Sequence, residues 1–227
     1  MPDNSVGLAS KAFAVFAKDL RQELRTRYAL NAILMFGITT LAVVSYSLGQ
    51  AGLPPKLLAA LLWTIIFFSA MSGLAQAFVR EEETGTALVL KLRADPTAIY
   101  LGKLFFNLSL LSAMTAIITP LFFMFTDAPI TGIGVIIVIL VLGVIGLCAA
   151  TTLVGAIIAK AAVKGALFAV LSFPILIPIL LLLVGGTAQV MDGRSFGEVW
   201  MYLQGLVAYS VVMITLSILL FRFVWLE

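Results

Sequence analysis

Long stretches without a charged residue constrain the fold of this chain more than any other feature. None occurs between Arg27 and Lys56 or between Lys56 and Arg80, and only 11% of the 227 residues are charged. A soluble domain carries roughly a quarter. In lipid, only helices and closed barrels satisfy every backbone hydrogen bond, and barrel strands would alternate between polar and apolar residues. The unbroken apolar runs therefore predict an all-α integral membrane protein.

Six apolar segments each provide the ~20 residues that cross a ~30 Å hydrocarbon core. They are residues 29–48, the stretch between Lys56 and Arg80, residues 104–126, most of residues 128–159, residues 165–187 and residues 199–221. The fourth segment is rich in glycine and alanine, which permits close helix packing. The sequence thus predicts an N-terminal segment, residues 1–28, followed by a six-helix transmembrane domain, residues 29–227.

The distribution of lysine and arginine predicts the orientation of the six spans, because these residues collect on the cytoplasmic side. One set of connecting segments carries nearly all of them: Lys11, Lys18, Arg21, Arg25, Arg27, Arg80, Lys91, Arg93, Lys103, Lys160, Lys164 and Arg222. The opposite set carries only Lys56 and Arg194. We therefore expect a multi-pass membrane protein with both termini in the cytoplasm.

The N-terminal segment contains an amphipathic pattern with the period of an α-helix. Four apolar residues recur at three- and four-residue spacing, and four polar residues take the opposite face: Phe13, Phe16, Leu20 and Leu24 against Lys18, Arg21, Gln22 and Arg25. The pattern predicts a helix in the cytoplasmic membrane interface, with its cations near anionic lipid head groups. Whether this helix only anchors the first span or also has a mechanical role is left open.

Several classes of function are disfavoured by what the chain lacks. It has no histidine and a single cysteine, Cys148, which lies in an apolar run and is predicted to be a small buried residue. No predicted span has a charged residue near its centre, whereas ion-coupled transporters and proton relays usually need one. No G-x-x-x-x-G-K-[ST] phosphate loop occurs either. We therefore predict that the chain is not an enzyme and that it binds neither a cofactor nor nucleic acid directly. ATP is predicted to be bound by another chain.

One polar segment, REEETGTALVLKLRADPTAIYLGK at residues 80–103, interrupts the apolar sequence. Gly85 is a natural helix stop because glycine takes positive φ without penalty. Asp95 suits an N-cap and Pro96 suits the first helical position, so the third helix is predicted to start there. The leucine-bearing stretch between them fits a short amphipathic helix.

This segment is predicted to dock a soluble partner, because exposed leucines beside mixed charge favour an interface over a solvated loop. The acids would face basic groups of the partner, the leucines would enter its groove, and Gly85 with the Asp95–Pro96 cap would set two bends. The predicted coupling residues are Glu81, Glu82, Glu83, Gly85, Leu88, Leu92, Arg93, Asp95 and Pro96.

Two prolines, Pro174 and Pro178, lie four residues apart in the fifth span. Each removes a backbone hydrogen bond and favours a kink in the helix. They are therefore candidates for a hinge.

The run EEETGTALVLKL…AIYLGKLFFN, preceded by LLWTIIFFSAMSGLAQAF, resembles the CcmB-like family of haem exporter permeases in cytochrome c biogenesis. LRQELRTRYALNAILMF near the start and LSFPILIPILLLL in the fifth span extend the resemblance to most of the chain. It differs from the family pattern at Leu88, where an acid is common, and at Arg93-Ala94, where Ser-Pro is common and the proline is displaced to Pro96.

The resemblance implies a membrane permease of ABC-2-type layout within an ABC transporter complex of the bacterial inner membrane. Its expected partners are a cytoplasmic ATP-binding subunit, a haem-handling membrane protein and a periplasmic haem chaperone, with two copies of this chain matching two ATPase copies. ATP hydrolysis in the partner would drive release of the loaded chaperone, with haem as the transported or handled substrate. Two alternatives stay open at this point: a generic ABC-2 export permease for a lipid, drug or polysaccharide, and a membrane scaffold that transports nothing.

Overall fold

The computed structural model describes residues 7–48, 53–73, 81, 85, 90, 95–129, 131–159 and 164–226. Seven helices make up most of these residues: α1 (Leu8–Thr26), α2 (Tyr28–Leu48), α3 (Pro55–Gly73), α4 (Pro96–Thr126), α5 (Ile133–Ala159), α6 (Lys164–Met191) and α7 (Phe196–Leu226). The described part of the chain contains no β-strand. The prediction of an all-α fold is thus confirmed.

Five of the helices are long and apolar enough to cross a membrane: α2, α4, α5, α6 and α7. In α3 the apolar part, Pro55–Met71, is shorter, and residues 74–80, which belong to the predicted second span, lie outside the described residues. A multi-pass helical membrane protein is therefore confirmed, and the count of six spans stays a prediction. Helix α4 starts at Pro96, well before the predicted span at residues 104–126.

Helix α5 lies at the centre of the bundle and packs against α4, α6 and α7. Its glycines make this possible. A Cβ atom at Gly143 would lie 2.4 Å from the ring of Trp63, and one at Gly146 would lie 2.2 Å from the side chain of Ile179. The predicted role of small residues in close packing is therefore confirmed. Cys148 is buried in the same helix, as predicted.

Helix α1 is the predicted amphipathic helix, but only Phe16 and Leu20 of its predicted apolar stripe pack against the core, and both are only partly buried. The buried residues of α1 are Ala12, Val15, Asp19 and Glu23, whereas Phe13 and Leu24 are 66% and 61% exposed. Helix α1 packs chiefly against α4. These four buried residues form a second stripe at helical spacing, made of small and acidic residues, and this stripe faces the rest of the protein.

The close approach of α1 to α4 depends on Gly102. A Cβ atom at this position would lie 2.6 Å from Cβ of Val15 and 2.7 Å from the carbonyl oxygen of Ala12. Both atoms belong to or adjoin the backbone of α1, so a small rotation of a side chain cannot make room. The two helices therefore contact each other almost directly at this point.

A single residue, Arg27, separates α1 from α2. It adopts the left-handed conformation with φ of 52°, and its N–H group donates to the carbonyl of Glu23. The carboxylate of Glu23 accepts a hydrogen bond from the N–H group of Leu30 at 2.8 Å. Because the first N–H groups of a helix lack partners within the helix, Glu23 stabilises the start of α2 while it belongs to α1.

We predict that Gly102→Ala weakens the docking of α1. The added methyl group collides with the α1 backbone, and overpacking of this kind costs about 1–3 kcal/mol. Gly134→Ala is the matched control, because nothing lies within 4 Å of a Cβ atom there. Thermal unfolding of both variants in detergent measures the difference. A Gly102→Ala midpoint equal to that of Gly134→Ala would contradict the prediction.

Candidate functional site

The side chain of Lys103 is buried near the start of α4, with only 1% of its surface exposed. Its Nζ atom lies 2.9 Å from Oδ2 of Asp19 in α1 and 2.9 Å from Oε1 of Glu81. Both carboxylates are themselves buried. An uncompensated buried ion is expensive by several kcal/mol, so these two contacts explain how the charge of Lys103 is tolerated.

Lys18 completes the arrangement from its more exposed side. Its Nζ atom lies 3.0 Å from Oδ1 of Asp19 and also contacts Oε1 of Glu81. Each carboxylate therefore bridges both lysines. Two cations and two anions thus form a set that we call the ion ring: Lys18, Asp19, Glu81 and Lys103.

The pKa of Lys18 reflects its neighbours. Burial alone would lower the pKa of this ammonium group, but the negative charges of Asp19 and Glu81 outweigh burial and raise the pKa above its usual 10.5. The ring thus holds Lys18 in its charged form throughout the physiological range.

The ion ring joins three parts of the chain that are distant in sequence. Asp19 comes from the buried stripe of α1, Lys103 follows directly after Gly102 in α4, and Glu81 comes from the segment between α3 and α4. Because Gly102 brings α1 against α4, Asp19 can reach Lys103. Within this arrangement, the ammonium and carboxylate groups pair with one another. Chemically it can hold these parts together and transmit a displacement between them.

A second, weaker contact joins α1 to α4 beside the ring. Nζ of Lys11 lies 3.3 Å from Oδ2 of Asp95, whose side chain is 62% exposed. Asp95 has the N-cap position and Pro96 the first helical position, as the sequence predicts. The carboxylate of Asp95, however, makes no capping hydrogen bond and contacts Lys11 instead. The predicted N-cap position of Asp95 is therefore confirmed, although its side chain pairs with Lys11 rather than with the first turn of α4.

The structure describes only some of the other predicted coupling residues, and these differ in exposure. Gly85 is exposed and has φ of +68°, which confirms the predicted positive-φ turn. Glu81 was expected to face a partner, but only 4% of it is exposed and it pairs within the chain. The remaining five lie outside the described residues: Glu82, Glu83, Leu88, Leu92 and Arg93.

Pro174 and Pro178 both lie inside the helix α6. The hydroxyl group of Tyr209 in α7 donates to the carbonyl of Ile175, between the two prolines, at 2.7 Å. This hydrogen bond joins α7 to the proline-containing part of α6. The hinge role of the prolines stays a prediction.

Among the described residues, two hydrogen bonds between neutral side chains connect helices inside the bundle. Nδ2 of Asn107 in α4 donates to Oγ1 of Thr152 in α5 at 2.9 Å. Nε1 of Trp63 in α3 donates to Oγ1 of Thr187 in α6 at 2.8 Å. Each bond places a polar group of one helix against that of another, which is the usual form of polar contact between membrane helices.

Three members of the ion ring were missed at the sequence level, among them Lys18, which was placed only on the polar face of the N-terminal helix. Asp19 stands in a helix whose other charges are mostly basic, and Lys103 was counted only as a cytoplasmic cation. The available signal was the stripe of Ala12, Val15, Asp19 and Glu23 at helical spacing, together with a glycine directly before Lys103. Pairing of these residues depends on tertiary contact, which this spacing alone does not specify.

The model of a protein family described as CcmB protein matches residues 10–222 of the chain. The match includes all four members of the ion ring and nearly all of the seven helices. A search of curated proteins finds no match.

We predict that Lys103→Met lowers the free energy of unfolding by about 3–5 kcal/mol, because it leaves buried carboxylates without compensation. Adding Asp19→Asn and Glu81→Gln to this variant should recover most of the loss, since the one charge then left in the ring is that of Lys18, whose side chain is 41% exposed and accessible to water. Lys11→Met is the control, and its more exposed pair should contribute less than about 1 kcal/mol. Reversible unfolding in mixed detergent gives these differences. An additive loss in the triple variant would contradict the prediction.

The raised pKa of Lys18 also predicts a pH dependence. A group whose pKa is higher in the folded state stabilises fully below its unfolded value, here 10.5, and this stabilisation is lost as the pH rises through the folded value. The difference in unfolding midpoint between the wild type and Lys18→Met should therefore shrink in alkaline buffer above pH 10.5. A difference that does not change with pH would rule out this contribution.

Proposed function

Because the chain belongs to the CcmB family of haem exporter permeases in cytochrome c biogenesis, we propose that it is the membrane permease of an ATP-driven complex in that process. ATP hydrolysis takes place in a partner, since the chain has no phosphate loop of its own. The complex serves haem export or release of a haem-loaded periplasmic chaperone. Two copies of the chain match two ATPase copies by symmetry.

The ion ring is the observation that carries this proposal. A segment that receives force from an ATPase must be attached to the helices that it moves. Glu81, within the proposed coupling segment at residues 80–103, is paired with Lys103 of α4 and with Lys18 of α1. A displacement of this segment therefore acts on α1 and α4 together.

The different roles of the residues in the coupling segment follow from their burial. Glu81 attaches the segment to the permease, and Gly85 provides a turn with positive φ at an exposed position. Glu82, Glu83, Leu88, Leu92 and Arg93 contact the ATP-binding subunit. Both termini and this segment lie in the cytoplasm, which the excess of lysine and arginine on that side supports.

This chain has a mechanical role and does not ligate haem. It has no histidine, so any imidazole ligand of haem comes from another subunit. Its bundle interior is connected by neutral hydrogen bonds such as that between Asn107 and Thr152. The haem-handling membrane protein supplies haem binding, and this permease supplies motion.

We predict that Glu81→Gln uncouples ATP hydrolysis from cytochrome c formation. The ATP-binding subunit should still co-purify and hydrolyse ATP, while the yield of cytochrome c falls about five-fold or more, the usual lower range of a coupling free energy between sites. Glu198→Gln is the matched control, because Glu198 is exposed and contacts only Arg194 and Ser195 among the described residues. Loss of the ATP-binding subunit from the wild-type complex would overturn the proposal.

Two further strains separate the alternatives. Deletion of the gene should abolish cytochrome c formation, and unchanged formation would favour a generic ABC-2 export permease. A partner ATPase that can bind but not hydrolyse ATP should also abolish it. Normal cytochrome c formation in that strain would favour a scaffold that transports nothing.

A further inference from the structure

Helix α1 presents positive charge that the described part of the chain does not compensate. Its two acidic residues, Asp19 and Glu23, are buried and bonded within the protein, and its two lysines pair with carboxylates. The guanidinium groups of Arg21 and Arg25 are exposed and form no ion pair with any described residue. The sequence predicts Lys18 and both arginines near lipid head groups, whereas in the structure only the arginines are free to bind a partner.

Apolar side chains border these arginines on the surface of α1. With 3.6 residues per turn, the buried stripe is followed around the helix by the apolar residues, then by Arg21 and Arg25, and last by the two lysines. Phe13 and Leu24 of the apolar sector are largely exposed. These two residues and the two arginines thus form one continuous surface, which we call the arginine face.

The part of α1 that carries the two arginines lies at the edge of the hydrocarbon core. Towards one end of this part, Val15 packs against Gly102, and beyond Lys103 no charged residue follows in α4. At the other end, α1 joins through Arg27 to α2, which carries no charge. Both points therefore mark the membrane boundary, where head groups form a layer about 5–7 Å thick on each side of the core.

We propose that Arg21 and Arg25 form a binding site for the phosphate groups of anionic phospholipids. The planar guanidinium group binds phosphate through two parallel hydrogen bonds. Phe13 and Leu24 enter the boundary between head groups and acyl chains beside it, as in other interfacial helices. This site goes beyond the proposed function, because lipid binding here requires neither ATP nor haem.

A lipid surface fits the arginine face better than a soluble protein does. An acidic protein surface could pair with the arginines, but it would also have to cover Phe13 and Leu24 at the level of the head groups. An anionic bilayer supplies phosphate groups and an apolar layer at adjacent depths. The buried stripe of α1 carries Asp19 of the ion ring, so lipid bound at the arginine face holds the helix in the position that the ring requires.

The test titrates the purified full-length chain in detergent with phosphatidylglycerol or phosphatidylcholine of the same acyl chains and counts bound lipids by native mass spectrometry. One cation near an anionic membrane surface contributes about fivefold in affinity. Arg21→Gln should therefore weaken phosphatidylglycerol binding about fivefold, and Arg21→Gln with Arg25→Gln about 25-fold. Phosphatidylcholine binding should stay the same. Unchanged phosphatidylglycerol binding in the double variant would overturn the proposal.

Lys56→Gln with Arg194→Gln is the matched control, because it removes the same two charges from exposed positions outside α1. This variant should bind phosphatidylglycerol as the wild type does, and an equal loss would refute a site on α1. Inorganic phosphate, added at constant ionic strength, should leave phosphatidylglycerol binding unchanged. Displacement of the lipid by phosphate would assign the arginines to a soluble anion instead.

A second measurement identifies what covers the arginine face in the membrane. A photo-crosslinking residue in place of Leu24, introduced into the chain in its native membrane, should react with phospholipid, since Leu24 is exposed beside the two arginines. Crosslinks only to another protein would contradict the proposal and assign the face to that protein.

Discussion

A buried ammonium group beside a membrane must be matched by buried negative charge, and this requirement organises the end of the bundle where α4 begins. Lys103 is matched by Asp19 and Glu81, and Lys18 balances the remaining charge. Each of the three buried members, Asp19, Glu81 and Lys103, would be costly without a partner of opposite charge. The position of α1 against α4 and the attachment of the connecting segment therefore follow from a single electrostatic condition.

The same condition explains why a glycine precedes Lys103. A side chain at position 102 would hold α1 away from α4, and Asp19 would then be too distant to pair. Packing and electrostatics act together here, because the absence of a side chain at Gly102 lets the four side chains of the ion ring make contact. Elsewhere in the bundle, where no charge has to be matched, glycines of α5 serve packing alone.

The helices were predictable from sequence because hydrophobic length and charge position depend on local composition. The start of α4 at Pro96 and the positive φ of Gly85 followed from the conformational preferences of single residues. The ion ring was not predictable in this way, because its three segments meet only after α1 has docked. The buried face of α1 was also missed, since its apolar stripe and its acidic stripe have the same period and only burial distinguishes them.

The connection between α1 and α2 has a consequence for motion. Only Arg27 separates the two helices, and Glu23 of α1 holds the first turn of α2 by a hydrogen bond. So short a connection allows the two helices little independent movement. A change in the angle between the amphipathic helix and the first membrane span therefore has to involve rotation about the backbone of Arg27.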